Sequence, residues 1–211
     1  VSTSTVMQQK PANETVLRKK ERTRRTILNA AAKVFKHLGY NATTLKDIAE
    51  EAGLKAGSMY YHFSSKDEIM DEVLDTGLRA ISDAVNETIE ECADKNDKEI
   101  LEAVIQTHLR MLFLQGDYVS ANIRLYSQLP EEIREKHQDL RRGYAKLWDR
   151  LLRKARDSGH LRSELEITPL RQFILGALNW SIEWYDIENY TVEEFSEKAI
   201  KLIGHGMYTS D

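Results

Sequence analysis

The segment Thr43 to Phe63, TTLKDIAEEAGLKAGSMYYHF, leaves a chain few ways to fold. Thr44 can accept a backbone N–H while Asp47 reaches back to it, a capping box that starts a helix. Ile48, Ala49 and Ala52 give that helix a short inner face, and Gly53 closes it after about two turns. Following the turn Gly53-Leu54-Lys55, another short helix is expected from about Ala56 to Phe63. Met59 and Phe63 are four residues apart and face the same way. A helix needs only one apolar face, so Tyr60, Tyr61 and His62 are left on or beside its outer side.

The flanks complete the unit. Upstream, the basic run Arg18 to Arg25 leads into Ile27, Leu28, Ala31, Val34, Phe35 and Leu38, spaced by threes and fours as on one helix face, and Gly39 is placed to end that helix. Downstream, Ser65 and Glu68 form a second capping box, opening a long helix with Ile69, Val73, Leu74, Leu78, Ile81, Val85 and Ile89 on its inner side. Two short helices across a glycine turn, braced by a third, are the pattern of a helix-turn-helix.

Composition agrees with an all-α chain. Among 211 residues there are only 3 Pro and 10 Gly, and Leu, Ala, Glu, Lys and Arg dominate. Net charge is −4, which taken alone argues against a nucleic-acid binder. Residues 1–70, however, carry 12 Lys and Arg against 7 Asp and Glu, so a basic head precedes an acidic body. The one cysteine, Cys92, excludes an internal disulfide and suits a reducing, cytoplasmic setting. No leader-like start and no apolar run approaching the roughly 20 residues of a bilayer span is seen, so no membrane partner is expected.

The expected organisation is a disordered tail at 1–17, the helix-turn-helix domain at 18–66 and a helical body at 67–211, about nine helices in all. Five of them follow residue 97, with breaks at Gly116-Asp117, Leu129-Pro130, Ser158-Gly159, Thr168-Pro169 and a third capping box at Thr191/Glu194. Within the body, GALNWSIEWYD places Trp180 and Trp184 one helical turn apart. They serve either as core or interface anchors, or as walls of a ligand cavity with Asn179. Other candidates for that cavity are His108, Met111, Leu114, Gln115, Arg124, Tyr126, Tyr144 and Trp148.

The stretches A-x-x-x-F-x-x-x-G-Y, T-T-x-x-x-I-A-x-x-A-G and G-x-x-Y-x-H-F-x-S-K-x-x-I occur in order over about residues 20–80. In them the chain closely resembles the N-terminal domain of the TetR family of bacterial repressors. The resemblance implies a homodimer that binds double-stranded DNA at a palindromic operator and responds to a small-molecule effector. Thr43, Thr44 and Lys46 would meet phosphate at the start of the second helix. Lys55, Ala56, Gly57 and Ser58 would enter the major groove, with Tyr60 against a base or the backbone and Tyr61, His62 and Lys66 clamping phosphates. In this family the last two helices usually supply the dimer bundle. Here that implicates Phe173, Gly176 and Ala177 in one segment and Phe195, Ala199, Leu202 and Ile203 in the next.

The element N-W-x-x-x-W-Y, from Asn179 to Tyr185, resembles TetR-type regulators of fatty-acid and steroid catabolism, which implies an acyl-CoA effector. Arg110, Arg124, Arg141, Arg142 and Lys146 are then candidates for CoA phosphates. The rival effector is a cationic aromatic compound inducing an efflux system, stacked on tryptophan and balanced by Glu183. Catalysis is not expected. The six histidines show no metal-ligand spacing and Cys92 has no evident histidine partner, so no catalytic residue, metal or cofactor is assigned.

Overall fold

A computed structural model describes residues 12–209 except 115 and 187, with side chains from residue 17. The chain divides into two compact units, residues 1–70 and 71–211.

In the first unit, α1 spans Ala12–Ala42 and is broken at Gly39, whose φ of 76° and ψ of 168° only glycine adopts without strain. The boundary expected at residue 17 therefore moves, because residues 12–17 already belong to α1. The rest of the expected tail, residues 1–11, lies outside the described residues. Helix α2, Leu45–Glu51, carries both bonds of the Thr44/Asp47 box. It ends in a Schellman motif, with the N–H groups of Leu54 and Gly53 bonded to the carbonyls of Ala49 and Glu50 and Gly53 at φ 66°. Helix α3 is shorter than expected. It covers Ala56–Met59 only, after which residues 60–62 form a turn.

Ile27, Ala31, Phe35, Ile48, Ala49, Met59, Phe63 and Ile69 are all at most 1% exposed and form one small core. Helix α4, Lys66–Glu91, begins in this unit. Ser65 Oγ accepts from the Glu68 N–H, but the Glu68 carboxylate bonds the N–H and hydroxyl of Ser64 at 2.7 Å. The expected box is thus only half made at Ser65. The carboxylate goes one residue further back, where Arg24, 3.5 Å away, also holds it.

The second unit holds the remainder of α4, then α5 (Asp97–Leu114), α6 (Gly116–Ser120), α7 (Glu131–Asp157), α8 (Ile167–Trp180) and α9 (Val192–Met207). Helix α5 packs against α7, α8 and α9, which explains why Leu101, Val104, Ile105, Leu109 and Leu112 are fully enclosed. Between α6 and α7 the expected α-helix is replaced by a π-helical turn at Ala121–Leu125 and a 3₁₀ turn at Tyr126–Gln128. Helix α8 also stops earlier than expected. The Ser181 hydroxyl donates to the Leu178 carbonyl, and Ser181–Glu183 tightens to 3₁₀. The Thr191/Glu194 box at α9 is complete.

Candidate DNA interface and effector cavity

The head presents the side chains that the core does not need. Lys46, Lys55, Ala56 and Gly57 are exposed and Ser58 is half-buried. Tyr60 and Tyr61 are 66% and 82% exposed, while Met59 and Phe63 on either side are at most 1% exposed. Two tyrosine rings held out in water beside a basic, glycine-permissive turn form a surface suited to a polyanion.

Three residues assigned to that surface sit differently. Thr43 is 2% exposed and its hydroxyl donates to the Gly39 carbonyl at 2.6 Å, so its side chain closes the end of α1 and is withdrawn from any phosphate. Lys66 is half-buried. Its ammonium donates to the carbonyls of Tyr40 and Thr43 at 2.7 and 3.0 Å and lies 4.3 Å over the Tyr40 ring, leaving one of three N–H donors. His62 is half-buried, and its pKa is lowered by burial and by the nearby Lys20 and Arg24. Thr44 stays exposed, although its hydroxyl already donates to Asp47 at 2.7 Å.

Because Lys66 bonds two backbone carbonyls through a charged group, its loss carries a stability cost. Lys66→Met, which keeps most of the stem, is expected to destabilise the protein by about 2 kcal/mol, measured by denaturant unfolding.

The body contains a cavity of about 250 Å³. Gly77, Leu78 and Ile81 of α4 line it, with His108 of α5, Val119 of α6, and Asn122 and Ile123 of the π turn. Arg141, Tyr144 and Ala145 of α7 and Arg171, Leu175 and Asn179 of α8 close it. Gly77 is needed because a Cβ there would lie 2.9 Å from the Asn122 side chain and from the Tyr118 carbonyl oxygen. Asn122 is fixed in turn by donating to the carbonyls of Leu74 and Tyr118. A π turn in a cavity wall is a recurrent feature of functional sites.

A polar chain crosses this wall. The Tyr144 hydroxyl lies 2.8 Å from His108 Nδ1, and His108 Nε2 lies 3.0 Å from Asn179 Oδ1. Asn179 Oδ1 can only accept, so Nε2 carries the proton and the tyrosine donates to Nδ1. Burial lowers the His108 pKa from 6.5 to about 4, against a smaller opposing effect of the Asn179 bond. The imidazole is therefore neutral in the folded protein near pH 7.

The unfolded chain binds a proton at His108 below about pH 6.5 and the folded chain only below about 4. Stability should fall as pH drops through that window, by roughly 3 kcal/mol for this group. Denaturant midpoints between pH 7 and 4 check this, with His108→Gln expected to flatten the profile.

Several expected cavity residues lie elsewhere. Leu114 is 72% exposed, and Trp148 is fully buried within the core rather than on the cavity wall. Met111 is partly buried against the same core. Tyr126 donates its hydroxyl to the Arg134 carbonyl and supports the Arg141 guanidinium, 4.0 Å above its ring. Gln115 lies outside the described residues. Arg124 is ion-paired to Glu183 at 2.5 Å. That pairing occupies the acid invoked for a cationic effector, and the two tryptophans that were to stack it do not wall this cavity.

Trp180 and Trp184 are 61% and 60% exposed. They accompany Phe173 at 80% and Leu202 at 79%, with Gly176 and Ala177 also exposed, as an apolar surface on α8 and α9. A groove of about 320 Å³ there is lined by Ala177, Trp184, Phe195, Ala199, Leu202 and Ile203. Five of the dimer candidates, Ala177, Phe195, Ala199, Leu202 and Ile203, thus line one groove, Phe173 and Gly176 are exposed on α8 outside its lining, and Trp184, read from sequence as a possible cavity wall, lines the groove too. Sequence reasoning missed Gly77, Asn122 and Arg171 of the cavity. The π turn and the close approach at Gly77 have no periodic signature.

A basic helix-turn-helix head and an all-helical body enclosing a cavity define a ligand-binding class of helix-turn-helix regulator. Residues 27–73 match the family profile described as "Bacterial regulatory proteins, tetR family", and residues 94–207 match "Tetracyclin repressor-like, C-terminal domain". The chain belongs to the TetR family of transcriptional regulators, which are DNA-binding proteins and not enzymes.

It is 25% identical over 189 residues to the fatty acid metabolism regulator protein of Bacillus subtilis, covering 86% of this chain and 94% of that one. Identity to the HTH-type transcriptional repressor KstR2 of Mycobacterium tuberculosis is 28% over 165 residues, covering 75% and 79%. The ketosteroid regulator KstR2 structure of M. tuberculosis shares the fold with a TM-score of 0.80 at 24% identity, covering 89% and 95%. PfmR from Thermus thermophilus superposes with a TM-score of 0.74 at 28% identity, covering 85% and 97%. Among the described residues no helix is long and apolar enough to cross a membrane.

Proposed function

We propose that the protein is a cytoplasmic repressor that binds a palindromic operator as a homodimer and leaves it when a small effector fills the body cavity. The observation that carries this reading is the pairing of an exposed Tyr60–Tyr61 surface in the head with a partly polar cavity in the body. On the operator, Lys46, Lys55, Ala56, Gly57, Ser58, Tyr60 and Tyr61 would face DNA. The remaining donor of Lys66 would reach a phosphate. Two heads reach successive major grooves when their half-sites lie about 34–36 Å apart, which requires a dimer. The apolar α8–α9 surface with Phe173 and Leu202 supports that assembly.

The effector class we propose is an acyl-CoA thioester, in keeping with the Bacillus subtilis relative named for fatty-acid metabolism. A 250 Å³ cavity has room for an acyl group and not for the nucleotide, which would stay outside. Helix α4 starts in the head and supplies Gly77, Leu78 and Ile81 to the cavity, so it is the natural route of coupling. A ligand releases DNA only if it binds the non-operator conformation more tightly, each tenfold preference contributing about 1.4 kcal/mol.

A thermal-shift screen of acyl-CoA thioesters and their free acids, followed by operator displacement in gel shift, tests the reading. Stabilisation by a thioester with release of DNA is expected. A soluble dimer that binds its operator and ignores every thioester would exclude the proposed effector class.

A further inference from the structure

The cavity wall contains a guanidinium that no acid among the described residues neutralises. Arg171, also in the wall, is paired to Asp149 at 2.8 Å, and both side chains are under 20% exposed. Arg141 is different. Among the described residues its partners are the Asn122 carbonyl oxygen at 3.3 Å and the Tyr126 ring, and it has no carboxylate. Burial depresses its pKa, the mark of a cation whose hydration is incompletely replaced. An unpaired charge in such a place is costly, and an anion from outside relieves it.

The chain through His108 ties up further polar groups of the wall. Asn179 commits its carbonyl oxygen to His108, and the Tyr144 hydroxyl proton is committed to the same ring. What remains for a ligand is two donors, the Asn179 amide N–H₂ and the Arg141 guanidinium, beside one unpartnered acceptor, Asn122 Oδ1. Around them Leu78, Ile81, Val119 and Leu175 are apolar. A plain hydrocarbon tail would match the apolar part and leave both donors unanswered.

We propose that the effector carries a carboxylate on a compact apolar skeleton and that Arg141 pairs with this carboxylate inside the cavity. The inference rests on the cavity being the effector site and names the chemistry that site selects. The carboxylate has two sources, a free acid, or the free end of a dicarboxylic acid whose other end is the thioester.

Calorimetry on the full chain compares octanoate with octanamide, and suberoyl-CoA with octanoyl-CoA. In each pair only the first member ends in a carboxylate that can enter the cavity. At least one carboxylate should bind about 10- to 100-fold more tightly than its uncharged partner, the charge-assisted bond setting the scale. A preference in the first pair identifies a free acid, and one in the second a half-thioester.

Arg141→Gln should abolish that preference, and Arg141→Lys should restore part of it. Thermal unfolding checks that each variant is folded. Equal binding within both pairs, or a preference that survives Arg141→Gln, overturns the carboxylate assignment. If uncharged ligands bind and release the operator, the effector cavity stands and only the carboxylate is wrong. If Leu175→Trp, which fills the cavity, leaves all binding unchanged, both readings fail.

Discussion

Leu202→Glu is expected to give a folded monomer that no longer holds the operator. The native side chain is 79% exposed on one subunit, so the substitution should alter the stability of an isolated chain by no more than about 0.5 kcal/mol. In a dimer built on α8 and α9, the same carboxylate would be buried without a partner in the apolar groove that Leu202 shares with Trp184 and Phe195. That cost is several kcal/mol per ion. A single head makes too few contacts to retain specificity, so operator affinity should drop toward the non-specific level, at least about 10³-fold. Light scattering after size exclusion reports the mass and fluorescence anisotropy the affinity. A variant that remains dimeric with native affinity would place the interface elsewhere.

The second large effect is expected in the head. Tyr60→Ala combined with Tyr61→Ala should weaken operator binding about 100-fold, at roughly 1.4 kcal/mol for each lost contact. Both rings are mostly exposed, so the melting temperature should move little. Loss of affinity without loss of fold is the discriminating combination. Unchanged operator affinity in the double variant would mean that the rings face something other than DNA.

Much of the head was legible because its signals are local. Capping boxes, the glycine turn at Gly53 and the four-residue step from Met59 to Phe63 each operate within one or two turns. The Thr44/Asp47 box, the glycine turn and the Met59–Phe63 step recur in the structure, and the Ser65/Glu68 box is half made. The inward placement of Thr43 and Lys66 was hidden because their bonds to Gly39, Tyr40 and Thr43 depend on how the end of α1 is closed. In the body, periodicity marked apolar faces and left their partners open. Trp148 and Trp184 look alike in a helical pattern, yet one is fully buried in the core and the other mostly exposed.

The sequence by itself determined an all-α chain, a basic helix-turn-helix head with surplus tyrosine rings, and an acidic helical body. Those follow from spacing, caps and charge, which are properties of neighbouring residues. Only the tertiary structure decided which side chains enclose the cavity. Gly77, His108, Asn122, Arg141 and Asn179 come from different elements of the chain. Whether a polar group there is satisfied or left for a ligand depends on distances between helices that no local pattern encodes.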